Sequence, residues 1–198
     1  MNKTETLQLP SSPNSAINVL RRSSWLVIQQ RIDNSLSFNQ TWEAYKYGFG
    51  VYNENFWLGL ENIYNLTKSR MYKLRIEVYA QGIWVSDEYD SFEVGSESLN
   101  YKLKVSNYSG DNLDIMNYVS STSQMHNGKV FSTFDRDNSP LQTNPGLKHA
   151  SGNWFDSYSY AQNLNGPYNQ TLQYYMKRFN RLTNAQQCRM MIKLSTSN

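Results

Sequence analysis

The chain has 198 residues, 39% hydrophobic and 18% charged, with a formal net charge of +3 from 19 basic and 16 acidic side chains. That length suits one domain with a core of its own, and the low charge excludes a coiled coil or a charge-driven disordered chain. Aromatic side chains make up for the modest apolar content: 15 Tyr, 8 Phe and 5 Trp bury a large area each, which suits a loop-rich fold better than a helical bundle. The small basic surplus forms no stripe, so no nucleic-acid partner is expected, and its densest stretch, Lys177, Arg178 and Arg181, reads as solvated surface.

Residues 1–24 are rich in Ser, Asn and Pro and read as a disordered polar tail. No stretch approaches the ~20 apolar residues of a membrane span, and residues 7–13 are too polar for the core of a secretion signal. Residues 25–30 (Trp-Leu-Val-Ile-Gln-Gln) are dense in strand formers. Thr41 stands as a helix cap before a short amphipathic turn from Trp42, which Gly48-Phe49-Gly50 ends. Residues 60–69 predict a second short helix. Tyr72, Leu74, Ile76 and Val78 alternate with Lys73, Arg75 and Glu77, the pattern of a half-buried antiparallel strand. Residues 82–85, 90–94 and 101–105 repeat that pattern between turns. Segments 107–128 and 135–170 are loop-like, and loops of that length in a compact domain are functional or metal-tied. Residues 189–194 predict a last strand that returns to the sheet.

A single cysteine, Cys188, excludes an intrachain disulfide and a multi-cysteine zinc site. Taken alone it favours a reducing compartment, and a Cys/His pair with His126 or His149 stays open. Its place before Met190, Met191 and Ile192 favours a buried, inert thiol. There is no Gly-rich phosphate loop, no zinc-spaced His pair and no Ser with an identifiable base, so catalysis is not expected. Asn-X-Ser/Thr triplets begin at Asn2, Asn39, Asn65, Asn107 and Asn169, about the number that chance gives in so polar a sequence.

Five blocks occur in a telling order. They are Trp25-Leu-Val-Ile-Gln-Gln-Arg31 with Trp42-Glu-Ala-Tyr45-Lys-Tyr-Gly48-Phe-Gly50; Phe56-Trp-Leu-Gly-Leu60 with Tyr72-Lys-Leu-Arg-Ile76; Tyr89-Asp-Ser-Phe92-Glu-Val-Gly95 with Tyr108-Ser-Gly110; His126-Asn-Gly128 with Phe131-Ser-Thr133 and Asp135-Arg-Asp137-Asn138; and Trp154 with Asn163-Leu-Asn-Gly166 and Tyr168. In this order they resemble the fibrinogen C-terminal domain family. The resemblance implies an α+β fold, a central twisted antiparallel sheet with short helices and a loop-rich C-terminal subdomain that carries the binding sites. It covers residues 25–194 and implies an N-terminal part cut short before Trp25. It also implies a secreted, extracellular, non-enzymatic module, against what Cys188 alone suggests. A homo-oligomer would form through a region preceding residue 1.

By the same resemblance, Asp135 and Asp137 stand in a calcium loop, completed by backbone carbonyls near Ser139 and Leu141. Two carboxylates one residue apart on a turn suit a hard cation. Ser139-Pro140 departs from the family pattern where a carbonyl must turn inward. The family closes the following loop with a disulfide whose two positions fall on Gly146 and Ser159, so that link is missing here. In lectin-like members the second position lies beside an acetyl group held between aromatic walls. The corresponding corner is Tyr158-Ser159-Tyr160, with Trp154 and Phe155 upstream as ring walls. The tyrosines either cradle an acetyl or sugar ring or fill the space left by the disulfide. His126 reads as a hydrogen-bonded structural residue. Two functions follow: an innate-immune, ficolin-like lectin that binds acetylated glycans or a protein surface with calcium support, or an angiopoietin-like signalling domain that binds a cell-surface receptor without a sugar site. A degenerate fragment that binds nothing is the third reading.

Overall fold

A computed structural model describes residues 2–9, 12–117, 125–155 and 161–195. The strands run β1 Asn2–Leu9, β2 Ser12–Arg22, β3 Trp25–Arg31, β4 Phe49–Gly50, β5 Phe56–Trp57, β6 Tyr72–Ala80, β7 Ile83–Val94, β8 Leu103–Gly110, β9 Phe131–Ser132, β10 Asn153–Trp154, β11 Gln162–Asn163, β12 Gln173–Met176, β13 Arg181–Asn184 and β14 Gln187–Leu194. Among the described residues three short α-helices accompany them, α1 Trp42–Tyr47, α2 Leu60–Thr67 and α3 Pro145–His149. Among the described residues, nine strands form one sheet in the order β1-β2-β3-β14-β6-β7-β8, with β5 joined to β3 and β4 joined to β5. Its pairings are all antiparallel. The last strand thus lies at the centre, between β3 and β6, and closes the sheet.

Alternation builds the sheet as the sequence predicts. Leu74, Ile76, Val78 and Ala80 of β6 are buried, while the residues between them are half-buried. A two-residue turn, Gln81-Gly82, joins β6 to β7, with positive φ at both positions (51° and 80°). That left-handed pair matches the twist of the flanking strands. The segments 82–85 and 90–94, expected as two strands, fall, apart from Gly82 in the turn, within the single strand β7. The inward face of β7 carries buried Asp87 between Val85 and Tyr89, so a carboxylate interrupts the apolar period while the strand continues.

The helices lie where a cap and two glycines put them. Thr41 Oγ1 accepts from Ala44 N at 3.3 Å and starts α1. Gly48 (φ 99°) and Gly59 (φ 104°) bring the end of α1 against the start of α2: a Cβ on Gly48 would sit 2.7 Å from the Leu58 carbonyl oxygen. Only glycine permits that approach at such angles. Helix α2 buries Leu60, Ile63 and Leu66, and Thr67 Oγ1, itself donating to Ile63 O, accepts from Val94 N of β7.

The segment expected as a disordered tail differs most. Residues of β1 and β2 pair from Asn2↔Arg22 to Leu9↔Ser12, and β2 pairs with β3 through Leu20↔Val27 and Arg22↔Trp25. The polar composition misled because an outer hairpin needs only one apolar anchor. Here Val19 and Leu20 supply it, at 0% and 1% exposure. Cys188 is buried as expected, and burial pushes its thiol up to about 11, which keeps it protonated and unreactive at neutral pH. Leu20→Ala should lower stability in urea unfolding by about 2–5 kcal/mol, as truncation of a packed core leucine does. A dispensable tail would show no change.

Candidate functional site

The loop-built half, residues 111–184, holds both sites expected from the sequence. It carries two small sheets, β9 with β10 and β11-β12-β13. Polar side chains from the large sheet and its helices fasten it. Tyr45 Oη of α1 donates to Phe38 O at 2.7 Å and accepts from Gly152 N at 3.2 Å. Gln29 Nε2 donates to Leu164 O at 2.8 Å, and Arg31 Nη1 donates to Gly166 O at 3.0 Å. The Arg31 guanidinium is 1% exposed, lies 4.0 Å from the Phe38 ring centre and 4.8 Å from that of Tyr168, and has its pKa lowered by burial.

Asp87 is the second anchor. Its buried carboxylate accepts from Tyr108 Oη at 2.7 Å, Tyr174 Oη at 2.8 Å, Asn112 Nδ2 at 2.8 Å and Asn112 N at 3.1 Å. These donors come from β8, from β12 and from Asn112 at the start of the loop-built half. Burial first, and then the Asp87 charge, raise the Tyr174 phenol well above its ordinary value, so it stays a donor.

The turn expected to bind calcium is rigidly held. Asp135 Oδ1 accepts from Trp42 N, the first helical residue of α1, at 2.9 Å, and from Thr133 Oγ1 at 2.7 Å. Asp137 Oδ1 accepts from Ser139 N and Ser139 Oγ at 2.9 and 2.7 Å. Asn138 ties the turn to β9 through Phe131 O and Ser132 Oγ. The Arg136 guanidinium turns away: it lies 4.0 Å over the Trp42 ring and reaches Glu97 and Asn100. Glu97 also binds Lys46 at 2.8 Å, and the Lys46 hydrogen bond is the first cause that holds its carboxyl low, while Lys46 rises to about 12. Among the described residues neither Asp135 nor Asp137 has an ion-pair partner, and both are exposed. Two solvent-facing carboxylates without a protein cation fit a hard cation in their donor chemistry. Ser139 and Leu141 are half-buried on the same loop. No group of three or more His, Cys, Asp or Glu side chains suited to a metal occurs among the described residues.

Two of the aromatic walls expected of an acetyl pocket lie in the interior. Trp154 is 2% exposed, packs edge-on to Phe131 at 5.0 Å and donates from Nε1 to Tyr101 O at 2.7 Å. Phe155 is 1% exposed and stacks on His149 at 5.5 Å. Both rings are therefore engaged in packing within the domain. A Trp in a Gly- and Asn-rich loop looks exposed in sequence because its partners, Tyr101 and Phe131, are remote along the chain. Tyr158, Ser159 and Tyr160 lie outside the described residues. His126 is buried and bonds the Trp154 carbonyl through Nδ1 at 2.8 Å, in the hydrogen-bonded role expected of it.

Sequence reasoning missed how the loop manages at Gly146. That position sits inside α3, whose start, Asn144 as cap and Pro145 at the first turn, is a recognisable helix signal within a segment read as loop. A Cβ on Gly146 would meet the Thr133 carbonyl carbon at 2.4 Å, and Asn144 Nδ2 donates to Thr133 O and Phe134 O. Helix α3 thus packs directly onto the backbone of the turn that carries Asp135.

A model of the C-terminal globular domain of the fibrinogen beta and gamma chains matches residues 20–195. The chain belongs to this family. Human fibroleukin is 42% identical over 146 residues, which cover 73% of this chain and 33% of the relative. Mouse angiopoietin-related protein 1 is 40% identical over 144 residues, 71% of this chain and 27% of the relative. The chain therefore spans about a third or less of these relatives. The fibrinogen-like globe domain of human ANGPTL2 superposes with a TM-score of 0.86 at 31% identity, over 98% of this chain and 93% of that one. A lamprey fibrin D-dimer complexed with the peptide Gly-His-Arg-Pro-amide superposes at 0.83 and 25% identity, over 94% and 67%.

Gly→Ala inside a helix ordinarily stabilises. Gly146→Ala should instead destabilise by about 1–3 kcal/mol, the cost of overpacking, measured by denaturant unfolding. A neutral or stabilising result would contradict the contact between α3 and the turn.

Proposed function

We propose that this domain is an extracellular recognition module that binds a protein or peptide through its loop-built half, in the manner of a receptor-binding, angiopoietin-related domain. The observation that carries this reading is the burial of Trp154 and Phe155. With both rings buried, neither Trp154 nor Phe155 offers an acetylated sugar the stacking surface that gives a small polar ligand its affinity. A protein partner needs no such pocket, because an interface draws on a broad surface with a few anchors. The relatives that match and the fibrin neighbour complexed with a peptide support the same class. The absence of a catalytic constellation in the sequence agrees with binding without turnover.

Calcium is proposed as a structural ion of this module, held by the Asp135 and Asp137 carboxylates with carbonyls of Ser139 and Leu141. A bound cation would fix the turn on which α3 rests and so support the loops without touching the partner. An ion that binds only the folded state stabilises by mass action. Added calcium should therefore raise Tm, EDTA should reverse the rise, and Asp137→Ala should abolish the response while leaving the metal-free Tm within a few degrees. An unchanged Tm in millimolar calcium would remove the ion from the account.

The binding reading separates from a lectin reading on one column. The folded domain should pass through N-acetylglucosamine resin in calcium and in EDTA alike, while it binds cells saturably and without competition from N-acetylated sugars. Retention in calcium that N-acetylglucosamine elutes would overturn the protein-binding reading in favour of acetyl-glycan recognition.

A further inference from the structure

We infer that Asn107 carries an N-linked glycan, which shields the open half of the sheet's β8 edge. The inference rests on the extracellular reading above. Strand β8 is an end strand of the nine-stranded sheet. Its first half is covered: Leu103 N donates to Lys129 O, Gly128 N donates to Leu103 O, and Val105 N donates to Asn127 Oδ1. From Ser106 to Gly110, β7 is its only strand partner among the described residues. An uncovered strand edge offers unpaired N–H and C=O groups to another chain, and folded proteins blunt such edges.

Asn107-Tyr108-Ser109 forms an N-glycosylation triplet on that stretch. Asn107 and Ser109 are both exposed. Asn107 has φ 59° inside the strand, a left-handed kink that asparagine tolerates better than other non-glycine residues. Its side chain makes no hydrogen bond within the described residues, so a sugar on Nδ2 displaces nothing. Asn65 contrasts with it: its triplet lies within α2, its Nδ2 donates to Glu61, and its Oδ1 accepts from Lys68. Thr67, the third residue of that triplet, is buried. Asn39 and Asn169 are exposed as Asn107 is, but neither lies on a strand edge. A bulky, hydrated glycan on Asn107 would add to the kink a steric block against edge-to-edge pairing.

The test exports the full chain from animal cells behind a cleavable leader, so that export is imposed and the native address is a separate question. Enzymatic deglycosylation in heavy-oxygen water then marks each occupied asparagine as a labelled aspartate. The tryptic peptide 105–129 contains one triplet, and fragment ions that place the label at residue 107, together with an enzyme-free control for deamidation at Asn127-Gly128, make the label report Asn107 alone. The expected result is a labelled peptide from the secreted, folded protein. An unlabelled peptide overturns the assignment, whether or not Asn39 or Asn169 is occupied. Shielding is read by sedimentation of N107Q and S109A, which both remove the triplet. Each should shift from one monomer boundary to concentration-dependent larger species, and monomers in both variants would overturn the protective role. Detection of the native protein inside cells and not in extracellular fluid would instead count against the extracellular reading.

Discussion

Everything in the loop-built half depends on polar groups that the large sheet and its helices bury and aim outward from their own elements. Tyr45, Gln29 and Arg31 reach the backbone of Gly152, Leu164 and Gly166, and Asp87 gathers donors from β8, β12 and Asn112. A buried polar group left unpaired costs about 1–3 kcal/mol, and more if charged. The loops therefore have one arrangement that satisfies these groups, and departures from it are penalised several times over. The family's covalent link at Gly146 and Ser159 is missing from this sequence, as the resemblance implies. With Gly146 packed on Thr133 and Cys188 alone in the core, the described loops are ordered by hydrogen bonds and close backbone contact.

Such an arrangement suits a binding module. The sheet supplies stability through aliphatic and aromatic packing, while the loops carry surface that can vary without disturbing the core. The Asp135 turn sits between the two functions, because Asp135 accepts from the first turn of α1 while the backbone of Thr133 meets Gly146. An ion at the two carboxylates would strengthen a position where helix, turn and loop already converge. Family membership shows a fibrinogen-like binding module, and under the proposed function the choice of partner falls to the exposed loop surface.

The sheet was legible because its strands obey a period of two and its helices begin and end at Thr41 and Gly48. The β1–β2 hairpin was hidden by composition, since two buried side chains, Val19 and Leu20, anchor many polar ones. Strand β7 was split by Asp87, a charge whose partners lie on β8, near Asn112 and on β12. No local pattern reveals a carboxylate satisfied by groups so distant in sequence. Trp154 and Phe155 misled for the related reason that a loop residue's burial depends on which remote surface folds over it. The Asp135-Arg-Asp137 turn was legible in part, because the bonds of Asp137 to Ser139 and of Asp135 to Thr133 are local and leave their mark on local sequence, whereas the bond of Asp135 to Trp42 N lies far along the chain and left none.

Native-state hydrogen exchange compared between β6–β7 and β12–β13 tests the anchoring claim most directly. Amides at 173–184 should exchange with opening free energies close to those at 74–92, and Tyr174→Phe should lower the 173–184 values first, by about 1.5–3 kcal/mol for a lost hydrogen bond to a charged group. Rapid exchange of 173–184 in the unaltered protein, while 74–92 stays protected, would contradict it: the loop half would then be open on its own, and the buried network would not hold it.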